Sequence, residues 1–285
     1  VIFERWAEKD AAAWTGILQD PFLVRHAPKC YVVSHDDYTA GLMPGCYTSL
    51  TRAKFDPLWH RACGYPNVYH WQPTLEELRV ELETEVKWSY SFRGTLESHR
   101  VRRRLRRVMA NRPDGVFEVI SQRFWSHSLD QRRDYVRQIL ESRFVLCPRG
   151  FSPSTHRMYE TMQLGRCAVV LADDWIAPEG PDWSNCILRI PEHDLTNLPR
   201  RLAEAAPRAL ELGAAARREW LAWFDEAPRF TRLYRAIGEL HDLQRGRPPR
   251  TIDVLRSRLR DWRFCWNAGW SQPRHLLRRL WSRGA

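Results

Sequence analysis

The chain has 285 residues, enough for one large domain or two of moderate size, and its 44% apolar content is too high for a disordered composition. No apolar run approaches the ~20 residues of a bilayer-spanning helix, and the opening stretch carries charge of both signs without the apolar core of a signal peptide. The net charge of +11 has to meet something acidic, and composition alone leaves a nucleotide diphosphate, nucleic acid, and an anionic membrane or glycan all open.

The chain opens at Val1, not Met, and a cytoplasmic location is the expectation, with a membrane-peripheral one as its variant. Seven cysteines show no C-x-x-C pair and no zinc spacing with histidine, so they are expected to be reduced thiols. Residues 29–34 (KCYVVS), β-branched and aromatic, predict a short buried strand, and His35, Asp36 and Asp37 follow at its C-terminal end. Residues 41–49, with Pro44 and Gly45, read as a loop, 68–71 as a further strand, and the acidic stretch 75–85 as an exposed helix or linker turn.

The character changes at Trp88. Residues 88–94 (WSYSFRG) read as a strand running into a loop, 97–109 as a helix, 117–120 as a strand, and 130–142 as a helix with Tyr135, Val136, Ile139 and Leu140 on its apolar stripe. Residues 143–148 (RFVLCP) predict a strand, 154–164 a helix with Ser154 as N-cap and Gly165 just past its end, and 167–172 (CAVVLA) a strand apolar on both faces. Strand, helix and strand fit within about 30 residues, the size of a βαβ unit. A strand at 186–190 and helices at 195–212 and 214–224 complete a doubly wound α/β domain. The expected domains are an acceptor-side unit 1–88, a donor-binding unit 89–240 and a basic amphipathic helical tail 241–285. From Arg245 onward there are eleven arginines against two aspartates, and Leu255, Leu259, Trp262 and Trp266 recur at helical spacing. Packing across a domain junction is the preferred reading of these tryptophans, and contact of 250–285 with an anionic membrane the other.

In parallel α/β sheets, ligands sit beyond the C-terminal strand ends. After strand 143–148 come Arg149, able to fork two phosphate oxygens, and Gly150, which lets the backbone approach closely. A helix N-terminus suited to phosphate follows, with the hydroxyls of Ser154 and Thr155. Glu160 stands ~9 Å along that helix from Ser154, a distance that suits a carboxylate on ribose hydroxyls. The alternatives are a surface ion pair, a simple cap and a solvated helix residue. Asp173 and Asp174 end the next strand, as sugar ligands or as a solvated turn.

The run 147–190 resembles the donor-site signature of exostosin-type glycosyltransferases. The resemblance is carried by Pro148, Arg149 and Gly150; Ser154; Arg157 and Glu160; Gln163 and Gly165; Val169, Val170 and Leu171; Trp175 and Pro178; and Asp182 and Trp183. Phe92, Arg93, Gly94 and Arg102 are similar to the family's opening of the same domain. The resemblance implies a GT-B-like fold of two Rossmann-like domains, here with a C-terminal helical extension. It also implies inverting transfer from a nucleotide-sugar donor, UDP-sugar favoured, to a hydroxyl of a glycan or glycolipid, with no obligatory metal and no separate cofactor. It places Arg149 and Ser154 on the diphosphate, Glu160 on the ribose, and the loop of Arg93 and Gly94 against the diphosphate or sugar.

Inverting transfer needs a base for the acceptor hydroxyl. Asp36 or Asp37 is the first expectation and His35 the second, against an Asx turn or a structural histidine; metal binding there is a minor reading. The arginines at 100, 102, 103, 104, 106 and 107 read as an exposed helix face, with binding of acidic substrate as the alternative. The rival classes are a basic nucleic-acid-binding protein, which no zinc-finger, RNP or helix-turn-helix pattern supports, and a catalytically silent scaffold of the same fold.

Overall fold

The computed structural model describes residues 2–5, 20–26, 29–35, 37, 41, 43–65, 75–81, 84–121 and 128–245. The expected strand at 68–71, Asp36 and the basic tail beyond 245 lie outside the described residues. Contacts divide the chain into Val1–Cys63 with Leu233–Ala285, and Gly64–Arg232. The sequence reading drew its boundaries at 88/89 and 240/241.

In the first unit, β1 (Ile2–Arg5), β2 (Tyr31–Ser34), β3 (Gly45–Tyr47) and β4 (His60–Ala62) form a parallel sheet in that order, with α1 (Pro21–His26) between β1 and β2. Alternation along the strands buries both faces: Tyr31, Val33 and Cys46 pack with Ile237 and Leu240 of the last helix, Glu226–Gln244, while Val32, Tyr47 and Leu50 pack together. The loop expected at 41–49 contains β3, and β1 and β4 were not anticipated. Strands of three or four residues such as His60–Ala62 carry no readable period, and their pairing partners supply the order.

In the second unit, α2 (Leu75–Glu81) precedes β5 (Trp88–Gly94), α3 (Arg100–Met109), β6 (Gly115–Val119), α4 (Leu129–Leu140), β7 (Ser142–Pro148), α5 (His156–Gln163), β8 (Cys167–Leu171), α6 (Trp183–Cys186), β9 (Ile187–Arg189), α7 (Leu198–Ala205) and α8 (Ala209–Trp223). The sheet runs β6-β5-β7-β8-β9, all parallel. This is a doubly wound order whose direction of travel reverses between β5 and β7, the place where such sheets open a ligand crevice. The α/β class read from the sequence is the class observed.

Side chains of β7 and β8 alternate between two cores. Val145, Cys147, Ala168 and Val170 meet α2, α4, α5 and α8, while Phe144, Leu146, Cys167, Val169 and Leu171 meet α3 and α7. The acidic stretch around 75 is therefore a helix with one face inside, since Leu75 and Leu78 are buried. α5 is shorter at its start than expected and closes on Gly165 at φ +72, where Gly165 N–H reaches the Met162 carbonyl and Arg166 N–H the Thr161 carbonyl. The single helix expected over 195–212 is broken into the 3₁₀ turn Glu192–Asn197, α7, the 3₁₀ turn Ala206–Arg208 and the start of α8. Pro199 and Pro207 occupy the first turns of new segments, where a missing N–H costs nothing. All six described cysteines are free, and burial pushes the thiols of Cys46, Cys147, Cys167 and Cys186 up to about 12.

Two histidines are held neutral by desolvation. His60, buried in the first unit, accepts from Asp56 N–H at 3.0 Å and faces the Gly41 carbonyl at 3.0 Å, and its pKa is pushed down to about 4. His156, at the start of α5, is likewise pushed down to about 4 by burial. A folded pKa below the ordinary 6.5 means that the unfolded chain takes up protons first as pH falls. Their contribution is therefore neutral above pH ~6.5 and destabilising from there down to about 4. Urea denaturation is expected to show stability falling between pH 6.5 and 5, with His60→Gln flattening part of the slope; equal stability at both pH values would contradict the buried neutral state.

Candidate functional site

The two strands flanking the reversal end in glycine-containing turns, and each feeds a helix. β5 ends at Phe92, Arg93 and Gly94 and leads into α3; β7 ends at Pro148 and leads through Arg149 and Gly150 into α5. Neither helix has an acidic residue in its first turn, so both N-termini keep their partial positive charge. His99 caps α3, its Nδ1 accepting from Val101 N–H at 3.3 Å. Thr155 caps α5, its Oγ1 accepting from Met158 N–H at 3.3 Å. The cap is thus one residue later than the sequence reading placed it. Ser154 Oγ is left buried without a hydrogen-bond partner.

Each helix sends an arginine across to the other strand's end. Arg102, from the first turn of α3, donates from Nε to the Arg149 carbonyl at 3.0 Å, from Nη1 to the Thr95 carbonyl at 3.1 Å and from Nη2 to the Pro148 carbonyl at 3.4 Å. Arg157, from the first turn of α5, donates from Nη2 to the Arg93 carbonyl and lies over the Phe92 ring at 4.9 Å. The glycines make room for these groups. A Cβ on Gly94 would lie 2.9 Å from Arg157 Nη2, and one on Gly150 would lie 3.0 Å from Arg102 Nη2 and 3.4 Å from Ser98 Oγ. Gly150 was expected to admit a phosphate; here it admits a guanidinium.

Among the described residues, the buried side-chain donors at these strand ends that make no hydrogen bond are Arg93 Nε, Arg149 Nε, Arg157 Nε and Nη1, Ser98 Oγ and Ser154 Oγ. Unpaired buried donors cost about 1–3 kcal/mol each and ask for an acceptor. Ser98 was not singled out in the sequence, because it fell inside the helix read over 97–109; the helix starts at Arg100 with His99 as its cap, which leaves Ser98 in the turn before it.

Arg149 is placed differently from expectation. Its buried guanidinium is paired by Nη1 with Asp174 Oδ2 at 2.7 Å, with Glu192 Oε1 at 3.8 Å. Asp173 and Glu192 exchange backbone-to-carboxylate bonds, Glu192 N–H to Asp173 Oδ1 at 3.0 Å and Asp173 N–H to Glu192 Oε1 at 3.2 Å. Asp173 thus ties the end of β8 to the turn after β9, and Asp174 ties it to Arg149 just past β7. The Arg93 side chain faces Glu118 of the neighbouring strand at 3.3 Å. On α3, Arg100, Arg103, Arg104, Arg106 and Arg107 are exposed, and among the described residues none of them forms an ion pair.

Glu160 is buried on α5 and accepts from Tyr135 O–H of α4 at 2.5 Å. Burial, with the Glu160 charge next, holds the Tyr135 phenol well above its usual range, so it remains a donor. The Tyr65 ring stacks on His156 at 3.7 Å, and its hydroxyl donates to Ser152 Oγ at 3.3 Å, bracing the turn between β7 and α5. Trp175 and Trp183 pack edge to face at 5.0 Å, and Trp183 Nε1 donates to the Pro178 carbonyl at 2.7 Å, so this part of the motif builds the wall of the fold. In the first unit, His35 is half-buried just past β2 and Asp37 is exposed. Among the described residues no group of three or more His, Cys, Asp or Glu could hold a metal, and no helix is long and apolar enough to cross a membrane.

Residues 54–205 match the Exostosin GT47 domain. A stretch of 95 residues, 32% of the chain, is 33% identical to an exostosin-1 homolog of Caenorhabditis elegans, covering 25% of that protein. Another of 74 residues, 25% of the chain, is 36% identical to a probable glucuronoxylan glucuronosyltransferase of Arabidopsis thaliana, covering 16% of it. The aligned stretches therefore span a quarter or less of these relatives' lengths. With parallel sheets of GT-B-like α/β character and a domain match over more than half its residues, the chain belongs to the exostosin GT47 family.

Proposed function

We propose that the chain is a glycosyltransferase that binds a nucleoside-diphosphate sugar, UDP-sugar favoured, where β5 and β7 end, and transfers the sugar to a hydroxyl of a glycan or glycolipid. The observation that carries this reading is the set of unused buried donors on Arg157, Ser154 and Ser98 between two unneutralised helix N-termini. A diphosphate offers acceptor oxygens and two or more negative charges to that set. Hexosyl or glycuronosyl transfer is the type proposed, and the name of one relative, a probable glucuronoxylan glucuronosyltransferase, supports the glycuronosyl form.

In this reading Arg157, Ser154 and the Thr155 hydroxyl bind the diphosphate, and Glu160 accepts from ribose hydroxyls. Arg102 and the backbone of Arg93, Gly94 and Gly150 hold the two turns at the right separation. Arg149 pairs with Asp174 through Nη1 and keeps its buried Nε for phosphate, and Asp173 and Asp174 face the sugar. The acceptor oxygen bonds to the anomeric carbon from the side opposite the leaving group, the bond from that carbon to the β-phosphate oxygen breaks with its electron pair on the diphosphate, and a base takes the acceptor proton. Inversion follows from the single displacement, and no metal is required where cationic donors stabilise the leaving group. The base is assigned to Asp36 or Asp37, with His35 next, since His35 and Asp37 stand just past the C-terminal end of a parallel strand. A cytoplasmic location, with anionic-membrane contact through 250–285, belongs to the same reading.

A thermal-shift screen is expected to raise the melting temperature with UDP-sugars more than with GDP- or CMP-sugars; no shift with any of them would remove the donor site. Arg157→Ala should weaken UDP binding by about tenfold or more, the loss of a charge-assisted contact, and should also lower the unliganded melting temperature because the Arg93 carbonyl loses its donor. Unaltered calorimetric affinity would take Arg157 off the diphosphate. Asp36→Asn or Asp37→Asn should cut turnover by about a hundredfold with donor affinity intact, and full activity in both would move the base elsewhere.

A further inference from the structure

Six of the ten residues of α3 are arginines and none is acidic. Arg102 is spent on the strand ends. Arg100, Arg103, Arg104, Arg106 and Arg107 stand exposed on the face opposite Val101, Leu105 and Met109, which are buried in the core. Along that face the arginines follow one another at three and four residues, the spacing at which helix side chains meet and like charges repel. Arg100 and Arg103 also bring positive charge to the helix end that favours negative. Elsewhere surface arginines are paired with acids one turn away: Arg137 with Asp134 on α4 at 3.1 Å, Arg200 with Glu204 on α7 at 2.5 Å, and Arg208 with Glu211 at 3.6 Å. The buried residues hold α3 together against the repulsion, and among the described residues no carboxylate relieves it.

We propose that this face of α3 binds an acidic glycan, a linear polysaccharide bearing carboxylate or sulfate groups. Charge complementarity asks for a polyanion, and the make-up of the face selects among polyanions. From Arg100 to Arg107 it runs about 10 Å along the helix axis, long enough to meet successive acidic groups of an extended chain. A guanidinium forks the oxygens of such a group in two parallel hydrogen bonds. Adsorption to a bilayer needs apolar side chains to insert, and those of α3 are spent on the core. Single-stranded nucleic acid needs aromatic side chains under its bases, and α3 has none. The face also begins at the candidate site, since Arg102, between Arg100 and Arg103, reaches carbonyls at the end of β7. The inference rests on the proposed transfer to a glycan for the polymer that arrives there. It adds that this polymer is acidic and is gripped away from its reacting hydroxyl.

The test compares the wild-type chain with a triple variant, Arg103→Gln, Arg104→Gln and Arg107→Gln, which leaves Arg102 and the basic tail in place. Glutamine keeps the helix propensity and removes the charge. Affinities are measured at low and high salt for oligogalacturonate, dextran sulfate and neutral dextran. Polyuridylate, duplex DNA and phosphatidylcholine vesicles containing phosphatidylglycerol serve as the competing partners. Melting temperatures are recorded alone and with UDP-, GDP- and CMP-sugars. The wild type should bind at least one acidic glycan about tenfold or more tighter than neutral dextran, with the preference lost at high salt. The variant should lose about tenfold for that glycan and less for nucleic acid or vesicles. Its melting temperature should stay level or rise, because like charges have been removed, and its shifts with nucleotide sugars should be unchanged. Equal glycan affinity in the two proteins, or a wild type without preference for acidic over neutral glycan, would overturn the proposal. A larger loss for nucleic acid or vesicles than for the acidic glycans would overturn it too and give the face to that partner. Glycan binding that depends on α3 in a chain that no nucleotide sugar shifts would uphold the glycan face and remove the transferase reading.

Discussion

The site depends on a crossed pair of arginines. Arg102 leaves the helix after β5 and hydrogen-bonds carbonyls at the end of β7; Arg157 leaves the helix after β7 and hydrogen-bonds the carbonyl of Arg93 at the end of β5. Adjacent parallel strands part at their ends when their helices depart to opposite faces, and their last carbonyls lose strand partners. A guanidinium supplies several donors at once, and each bond to a charged donor is worth about 1.5–3 kcal/mol. The arrangement closes the gap between the two turns and leaves positive charge at its floor. The two cores behind it, on opposite faces of β7 and β8, keep these strand ends fixed.

Much of the second unit was legible in the sequence. Residues 144–148 and 167–172 are apolar on consecutive positions, as strands buried on both faces must be, and Gly165 announced the end of α5. The first unit was less readable. Gly45–Tyr47 and His60–Ala62 are three residues each, too short for a period, and they become strands because β2 offers β3 a parallel template in register and β3 offers one to β4. The cap of α5 was misplaced by one residue, since Ser154 and Thr155 have equal capping chemistry and only the path of the turn decides between them.

The motif that identifies the family mixes two physical roles that sequence spacing cannot separate. Trp175, Pro178 and Trp183 form a packed wall, and Asp182 accepts from Ser184 Oγ at 2.6 Å and Asn185 Nδ2 at 2.7 Å to start α6. Arg149, the residue most suggestive of phosphate, is buried against carboxylates. Its Nε nevertheless keeps an unspent donor, as do Arg157 and the serines at 98 and 154. Ser98 was invisible because it lies at a helix start, a pattern with a sufficient structural explanation of its own.

Hydrogen–deuterium exchange with saturating UDP tests the central claim most directly, since the phosphate-binding amides belong to two turns far apart in sequence. Slowed exchange is expected in both 95–102 and 149–158, while the distant turn 206–208 stays unchanged. Protection of neither turn, or protection confined to residues outside the second unit, would contradict a diphosphate seated between the ends of β5 and β7.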